Sequence, residues 1–163
     1  MKFPMRYLPI QLSARDKKKQ SQMLIRSKRL YKKHEYYTRN RLSSYKNKTS
    51  KHIRNAQNIY KIQKISPSNE ELAKKTGCSL SAMNQIVRKG EGAYFSSGSR
   101  PNQTAQSWGI ARLASAITAG KAAAVDYNIL EKGCDHKKKA FVLANKSRNK
   151  YKYGHSKTRK VAV

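Results

Sequence analysis

Apolar residues recur at helical spacing along most of the chain, with polar stretches between them. Ser13, with Asp16 three residues later, is typical of a helix N-terminus, and residues 14–33 then carry a narrow apolar stripe that includes Met23 and Leu24. Further helices are predicted at about 50–62, 69–75, 80–89, 104–119, 122–132 and 140–144. The pattern predicts a mainly α-helical fold.

Two of these helices form a helix-turn-helix pattern. Ser68 and Glu71 make a capping box for the first helix, Gly77 occupies the turn, Ser79 caps the second helix, and Gly90 is expected to end that helix at Lys89. The predicted core of the pair is Leu72, Ala73, Gly77, Cys78, Met83, Ile86 and Val87. This spacing of small, turn and apolar residues resembles the helix-turn-helix motif.

The second helix of the pair, Leu80 to Lys89, would expose polar side chains that can contact base edges. They are Ser81, Asn84, Gln85, Arg88 and Lys89. The same geometry also packs two short helices in proteins that bind no DNA, so both interpretations stay open.

A glycine- and serine-rich stretch follows at 91–104, where a loop is expected. Arg100 in this loop could bind a phosphate or a carboxylate, or the loop could serve only to place Tyr94 and Phe95 against the next helix. Beyond it, Arg112 and Asp126 are candidates for an internal ion pair.

Positive charge is concentrated in two segments of the chain. The protein has 37 Lys and Arg against 8 Asp and Glu, a formal net charge of +29. Residues 14–64 and 135–163 hold most of that surplus, and residues 65–134 are nearly neutral. We therefore expect a basic N-terminal arm with one or two helices at 1–64, a small helical core at 65–134 and a basic C-terminal arm at 135–163, disordered from about residue 145.

Such an excess of one sign implies a polyanionic partner, which could be nucleic acid, an acidic protein surface or an anionic membrane face. The residues expected to contact it are Lys17, Lys18, Lys19, Arg26, Lys28, Arg29, Asn84, Gln85, Arg88, Lys89, Arg100, Lys137, Lys138, Lys139, Arg148 and Lys150.

Several other classes of protein find little support in the sequence. No run of 18 apolar residues and no signal peptide is evident, so a transmembrane or secreted protein is not expected. Two cysteines are too few for a disulfide framework, which favours a reducing compartment with Cys78 as a small buried apolar residue. No catalytic residue, metal ligand set or cofactor site is predicted, and the chain is not expected to be an enzyme.

The block GAYFSSGSRPNQT at 92–104, followed by SWGIARLAS at 107–115 and by Val125 and Asp126, resembles a domain family of large DNA viruses of algae and protists and of some tailed phages. The similarity covers roughly residues 70–134. It implies a viral origin and a virion structural role, and it implies no activity and no catalytic residues.

Two functions follow as hypotheses. The first is a minor capsid or cement protein of a large icosahedral DNA virus, made in the host cytoplasm and located in the virion, whose basic arms bridge the acidic surfaces of major and other minor capsid proteins. The viral DNA or an anionic inner membrane surface are further possible partners. The alternative is a virion DNA-binding or genome-condensing protein with a helix-turn-helix-like core.

Overall fold

The computed structural model describes residues 2–152 and 159–162, and this part of the chain is mainly helical, as the sequence predicts. Its α-helices are α1 (Ala14–Tyr31), α2 (Lys51–Tyr60), α3 (Glu70–Thr76), α4 (Leu80–Ser96), α5 (Ala105–Ala116), α6 (Lys121–Val125), α7 (Tyr127–Gly133) and α8 (Lys139–Tyr151). Two short antiparallel strands, β1 (Lys2–Pro4) and β2 (Lys160–Ala162), place Phe3 opposite Val161. None of the described helices is both long and apolar enough to cross a membrane.

The described residues form two compact units, and the chain passes between them at 48/49, 90/91 and 108/109. Unit 1 consists of the described residues of Met1–Lys48, Glu91–Trp108 and Lys157–Val163, and unit 2 of those of Thr49–Gly90 and Gly109–Ser156. These limits differ from the segments 1–64, 65–134 and 135–163, because the two basic terminal segments contribute buried side chains to the units.

Unit 1 is built mainly from residues 1–48 of the N-terminal basic segment. Ser13 caps α1 by accepting a hydrogen bond from the Asp16 N–H (3.1 Å), as expected. One apolar cluster consists of Phe3, Tyr7, Leu8 and Leu24, with Trp108 and Val161 packed against it. A second cluster consists of Leu12, Met23 and Leu42. Met23 and Leu24 of the α1 stripe are therefore covered within unit 1, whereas Tyr31 at the end of the same stripe is exposed.

Unit 2 has a larger core that includes residues from all of its helices. Its buried members include Tyr60 of α2, Leu72 of α3, Ile86 of α4, Leu113 of α5 and Phe141 of α8. Helix α8 continues to Tyr151, beyond residue 145 where disorder was expected. Beyond that point Ser147 is buried, and its Oγ donates a hydrogen bond to the Gly120 carbonyl oxygen (2.7 Å), a contact that composition alone does not reveal.

Helix α4 does not end at Gly90, as predicted, but continues to Ser96. Gly90 is buried, and a Cβ at this position would lie 2.5 Å from the Cα of Gly109 in α5. The missing side chain therefore serves a close approach between two helices, and it does not mark a helix end.

The predicted single helix at 122–132 is divided in two at Asp126, which separates α6 from α7. The Asp126 carboxylate is fully buried and accepts hydrogen bonds from Arg112 Nε (2.7 Å) and Nη2 (2.8 Å). The ion pair proposed from the sequence is confirmed. It is bidentate, and this geometry gives the pair strength and fixes its orientation.

Cys78 and Cys134 are joined in a disulfide, so the expectation that Cys78 is merely a small buried apolar residue is wrong. The two residues form an isolated antiparallel bridge, with Ser79 N donating to Gly133 O (2.8 Å) and Asp135 N donating to Gly77 O (2.8 Å). This pairing brings their Cα atoms to 3.9 Å across a sequence separation of 56. Nothing in the local sequence of either cysteine indicates that approach.

Candidate nucleic-acid interface

Helices α3 and α4 of unit 2 form the predicted helix-turn-helix pair. Asn69, and not Ser68, caps α3, with its Oδ1 accepting from the Leu72 N–H (3.1 Å). Gly77 ends α3 in the left-handed region, with a φ of 79°. Ser79 Oγ then accepts from the Ala82 N–H (3.1 Å) and begins α4. The turn between the helices therefore has a hydrogen-bonded cap on each side.

The first half of α4 has one buried face and one exposed face. Met83, Ile86 and Val87 are buried in the core of unit 2 together with Leu72 and Cys78, as the motif predicts. The opposite face carries exposed polar side chains: Ser81, Asn84, Gln85 and Arg88. A helix with this division can enter a DNA groove without disturbing its own core.

A groove of about 330 Å³ lies along α4, and α7 forms its other wall. The two helices approach closely because Gly133 has no side chain, and a Cβ there would overlap the side chain of Ala82. Asn128 and Lys132 of α7 are exposed and line the groove opposite Gln85. Neither residue is among the contact residues predicted from the sequence. The signal that could have indicated them is their spacing of four, which places both on one face of a helix.

Three lysines of the C-terminal segment lie beside the turn of the helix pair. Lys138 packs against Gly77, where a Cβ would lie 2.5 Å from the Lys138 Cβ. The segment is held there by the bond from Asp135 N to Gly77 O, and Asp135 Oδ1 accepts from the Lys137 N–H (2.9 Å). Lys137, Lys138 and Lys139 are all exposed. The fold thus adds positive charge next to the turn.

Lys89 is partly engaged inside the protein. Its Nζ lies 3.6 Å from Asp126 Oδ1, and its side chain is 55% exposed. Because Arg112 already makes two hydrogen bonds to the same carboxylate, Lys89 keeps much of its charge available to a ligand.

The other predicted contact residues are spread over both units. In unit 1, Lys18, Lys19, Arg29 and Arg100 are exposed, Arg26 lies over the Tyr37 ring (4.6 Å) and Lys28 lies over the Phe3 ring (5.2 Å). Lys17 is half-buried. In unit 2, Arg148 lies over the Tyr127 ring (4.3 Å) and Lys150 over the Tyr151 ring (5.1 Å). The residues that the structure brings together are those of α4 and of 137–139.

The glycine- and serine-rich block has a structural role in unit 1 that centres on Arg39. The Arg39 guanidinium is buried and donates hydrogen bonds to Ser27 Oγ (2.9 Å), Tyr94 O (2.9 Å) and Ser99 Oγ (2.8 Å). Burial lowers the pKa of Arg39 from its ordinary value. Asn102 of the same block holds the backbone of Leu42, because its Oδ1 accepts a hydrogen bond from the Leu42 N–H (2.6 Å). Arg100 itself stays exposed.

The structure thus defines a mainly helical protein with a helix-turn-helix pair. The chain matches the model of the Family of unknown function (DUF5824) over residues 4–140 and belongs to that family. No curated protein matches it. No solved structure matches it either.

Proposed function

We propose that this protein is a non-enzymatic DNA-binding protein that places the first half of α4 in the major groove of duplex DNA. The exposed face of α4 carries the proposal, because its polar side chains stand on the second helix of a helix-turn-helix pair whose other face is buried.

The side chains on this face have the chemistry that base recognition requires. Asn84 and Gln85 each offer an amide donor and an acceptor, which suit the adenine edge, and Arg88 offers the two parallel donors that suit guanine. On the neighbouring helix, Lys132 can pair with a phosphate next to the groove. Lys137, Lys138 and Lys139 can do the same beside the turn.

The charge of the whole chain supports the same partner. Lys and Arg outnumber Asp and Glu by 37 to 8, and a duplex presents closely spaced phosphates along its length. Phosphate contacts from so basic a protein release counterions, so the affinity should fall steeply as salt rises. The phosphate contacts supply binding to a duplex of any sequence, and the exposed face of α4 supplies the preference for particular sequences.

The hypothesis of a capsid-bridging role has basic arms that contact acidic capsid surfaces along their length. Helices α1 and α8 bury some side chains of those segments within the units, which leaves less of each segment free for such contacts, and this supports the DNA-binding alternative. A location in the virion stays a prediction, which fractionating purified virions into shells and released genome would test.

The test is a selection of duplexes from a random pool with the wild-type protein and a triple variant, Asn84→Ala, Gln85→Ala and Arg88→Ala. Wild type should enrich a motif, and the variant should lose about 100-fold or more in affinity for it while keeping salt-dependent binding to other duplexes. The matched control is Arg54→Ala, Asn55→Ala and Asn58→Ala on α2, which removes the same charge and two amides from exposed positions of unit 2. Enrichment of the same motif by the α4 variant would contradict the proposal.

A further inference from the structure

Four aromatic rings of unit 1 form a continuous row from the interior to the surface. The ring centroids of Tyr94 and Phe95 are 5.1 Å apart, those of Phe95 and Tyr36 are 5.1 Å apart, and those of Tyr36 and Tyr31 are 6.2 Å apart. Tyr94 is fully buried, whereas Tyr36 is 69% exposed and Tyr31 is 36% exposed. The row therefore ends in two aromatic side chains that are open to solvent.

The inner end of this row is held firmly. Tyr94 Oη accepts from the Arg39 N–H (2.9 Å), and the Arg39 guanidinium lies 3.8 Å from the centroid of the Tyr94 ring. The Phe95 carbonyl accepts from Ser27 Oγ (3.0 Å) of α1. Tyr36 thus packs against Phe95, a residue whose backbone is held by a hydrogen bond. Less conformational entropy is therefore lost when a ligand orders the Tyr36 side chain.

The stretch of chain that carries the two exposed tyrosines is strongly basic. Arg29, Lys32, Lys33 and Arg41 are exposed in the same stretch of chain, and Glu35 is the single acid between residues 17 and 48. Exposed aromatic faces among cations, on a unit with so few acids, match a ligand that is both flat and anionic.

We propose that Tyr36, with Tyr31 and Phe95 beside it, is a stacking site for unpaired bases of single-stranded nucleic acid. A base has a flat face that stacks on tyrosine whatever its identity, and the neighbouring Lys and Arg neutralise the phosphates of the same strand. Bases inside a duplex do not expose that face, so this site takes a different ligand from the first half of α4, and its residues belong to unit 1. The inference does not depend on the proposed function.

The test measures binding of two labelled single strands by fluorescence anisotropy. One is an oligomer of about 12 thymidines, and the other has the same phosphates with abasic sugars, which removes stacking and keeps the charge. Wild type should prefer the thymidine strand. Tyr36→Ala should weaken its binding about 5- to 100-fold and abolish the preference, and Tyr36→Phe, which keeps the ring, should bind within about twofold of wild type.

Ile10→Ala is the control, because Ile10 is an exposed apolar residue of unit 1 outside the aromatic row, and it should leave both affinities unchanged. Thermal unfolding of each variant shows whether it is folded. Equal binding of both strands by wild type, or unchanged thymidine binding in folded Tyr36→Ala, would overturn the proposal. Duplex binding by Tyr36→Ala should equal that of wild type, so failure of this site and failure of the α4 proposal are distinguishable.

Discussion

Arg39 shows how one side chain connects two distant parts of the sequence. It is one of 37 cationic residues, yet it is buried, and none of the ion pairs in residues 2–152 and 159–162 includes it. Its charge is stabilised by hydroxyl and carbonyl oxygens and by the face of Tyr94. Ser99 and Tyr94 belong to the most distinctive block of the chain, so a main task of that block in unit 1 is to hold Arg39.

Replacing Arg39 by Lys should therefore destabilise the protein although the charge is kept. A single ammonium group cannot reach Ser27, Tyr94 and Ser99 together, and the loss of charged hydrogen bonds in a buried site should lower the free energy of unfolding by about 3 kcal/mol. Urea denaturation measures the difference. Arg41→Lys, an exposed neighbour, should change stability by less than about 0.5 kcal/mol, and equal effects of the two substitutions would argue against this role for Arg39.

At the scale of the element, the two glycines of helix α4 have different surroundings. At Gly90 an added Cβ would lie 2.5 Å from the Gly109 Cα, whereas at Gly92 nothing lies within 4 Å. Both positions are helical. One glycine therefore permits a helix contact and the other only weakens the helix.

Replacing each of the two glycines by Ala should therefore change the stability of the protein in opposite directions. Gly92→Ala should stabilise the protein by about 0.5–1 kcal/mol, because alanine has the higher helix propensity. Gly90→Ala should destabilise it by about 1–2 kcal/mol, because the overpacking against backbone exceeds that gain. Thermal unfolding of the two variants checks the pair. Stabilisation by both would mean that the Gly90–Gly109 approach is not needed.

The sequence predicts the features of α4 that local signals determine, and it does not predict those that depend on contacts with distant residues. Ser79, Met83, Ile86 and Val87 take the places that the motif assigns to them, because caps and helical spacing are local properties. The helix continues past Gly90, where the missing side chain permits a close approach to Gly109 that no local pattern indicates. Asn128 and Lys132 were missed for the same reason, since the groove exists only after α7 packs on α4.

At the scale of the whole molecule, the division of charge along the chain does not carry over to the folded units. Both units are basic, with 19 Lys and Arg in the ranges of unit 1 and 18 in those of unit 2, against 3 and 5 acids. A few apolar residues suffice to pack α1 and α8 within the units. The average composition of a basic segment does not reveal these residues. The disulfide from Cys78 to Cys134 is also invisible locally, and it joins two residues of unit 2 across a sequence separation of 56, which stabilises the oxidised protein.

The most direct measurement of the central claim is site-specific crosslinking to duplex DNA. A photoreactive amino acid replaces Asn84 on the exposed face of α4 in one variant and Asn55 on α2 in the other, both exposed positions of unit 2. If α4 enters the major groove, position 84 should crosslink efficiently to the duplex and position 55 only rarely. Crosslinks of equal yield from both positions, or none from position 84 in a protein that binds the duplex, would contradict it.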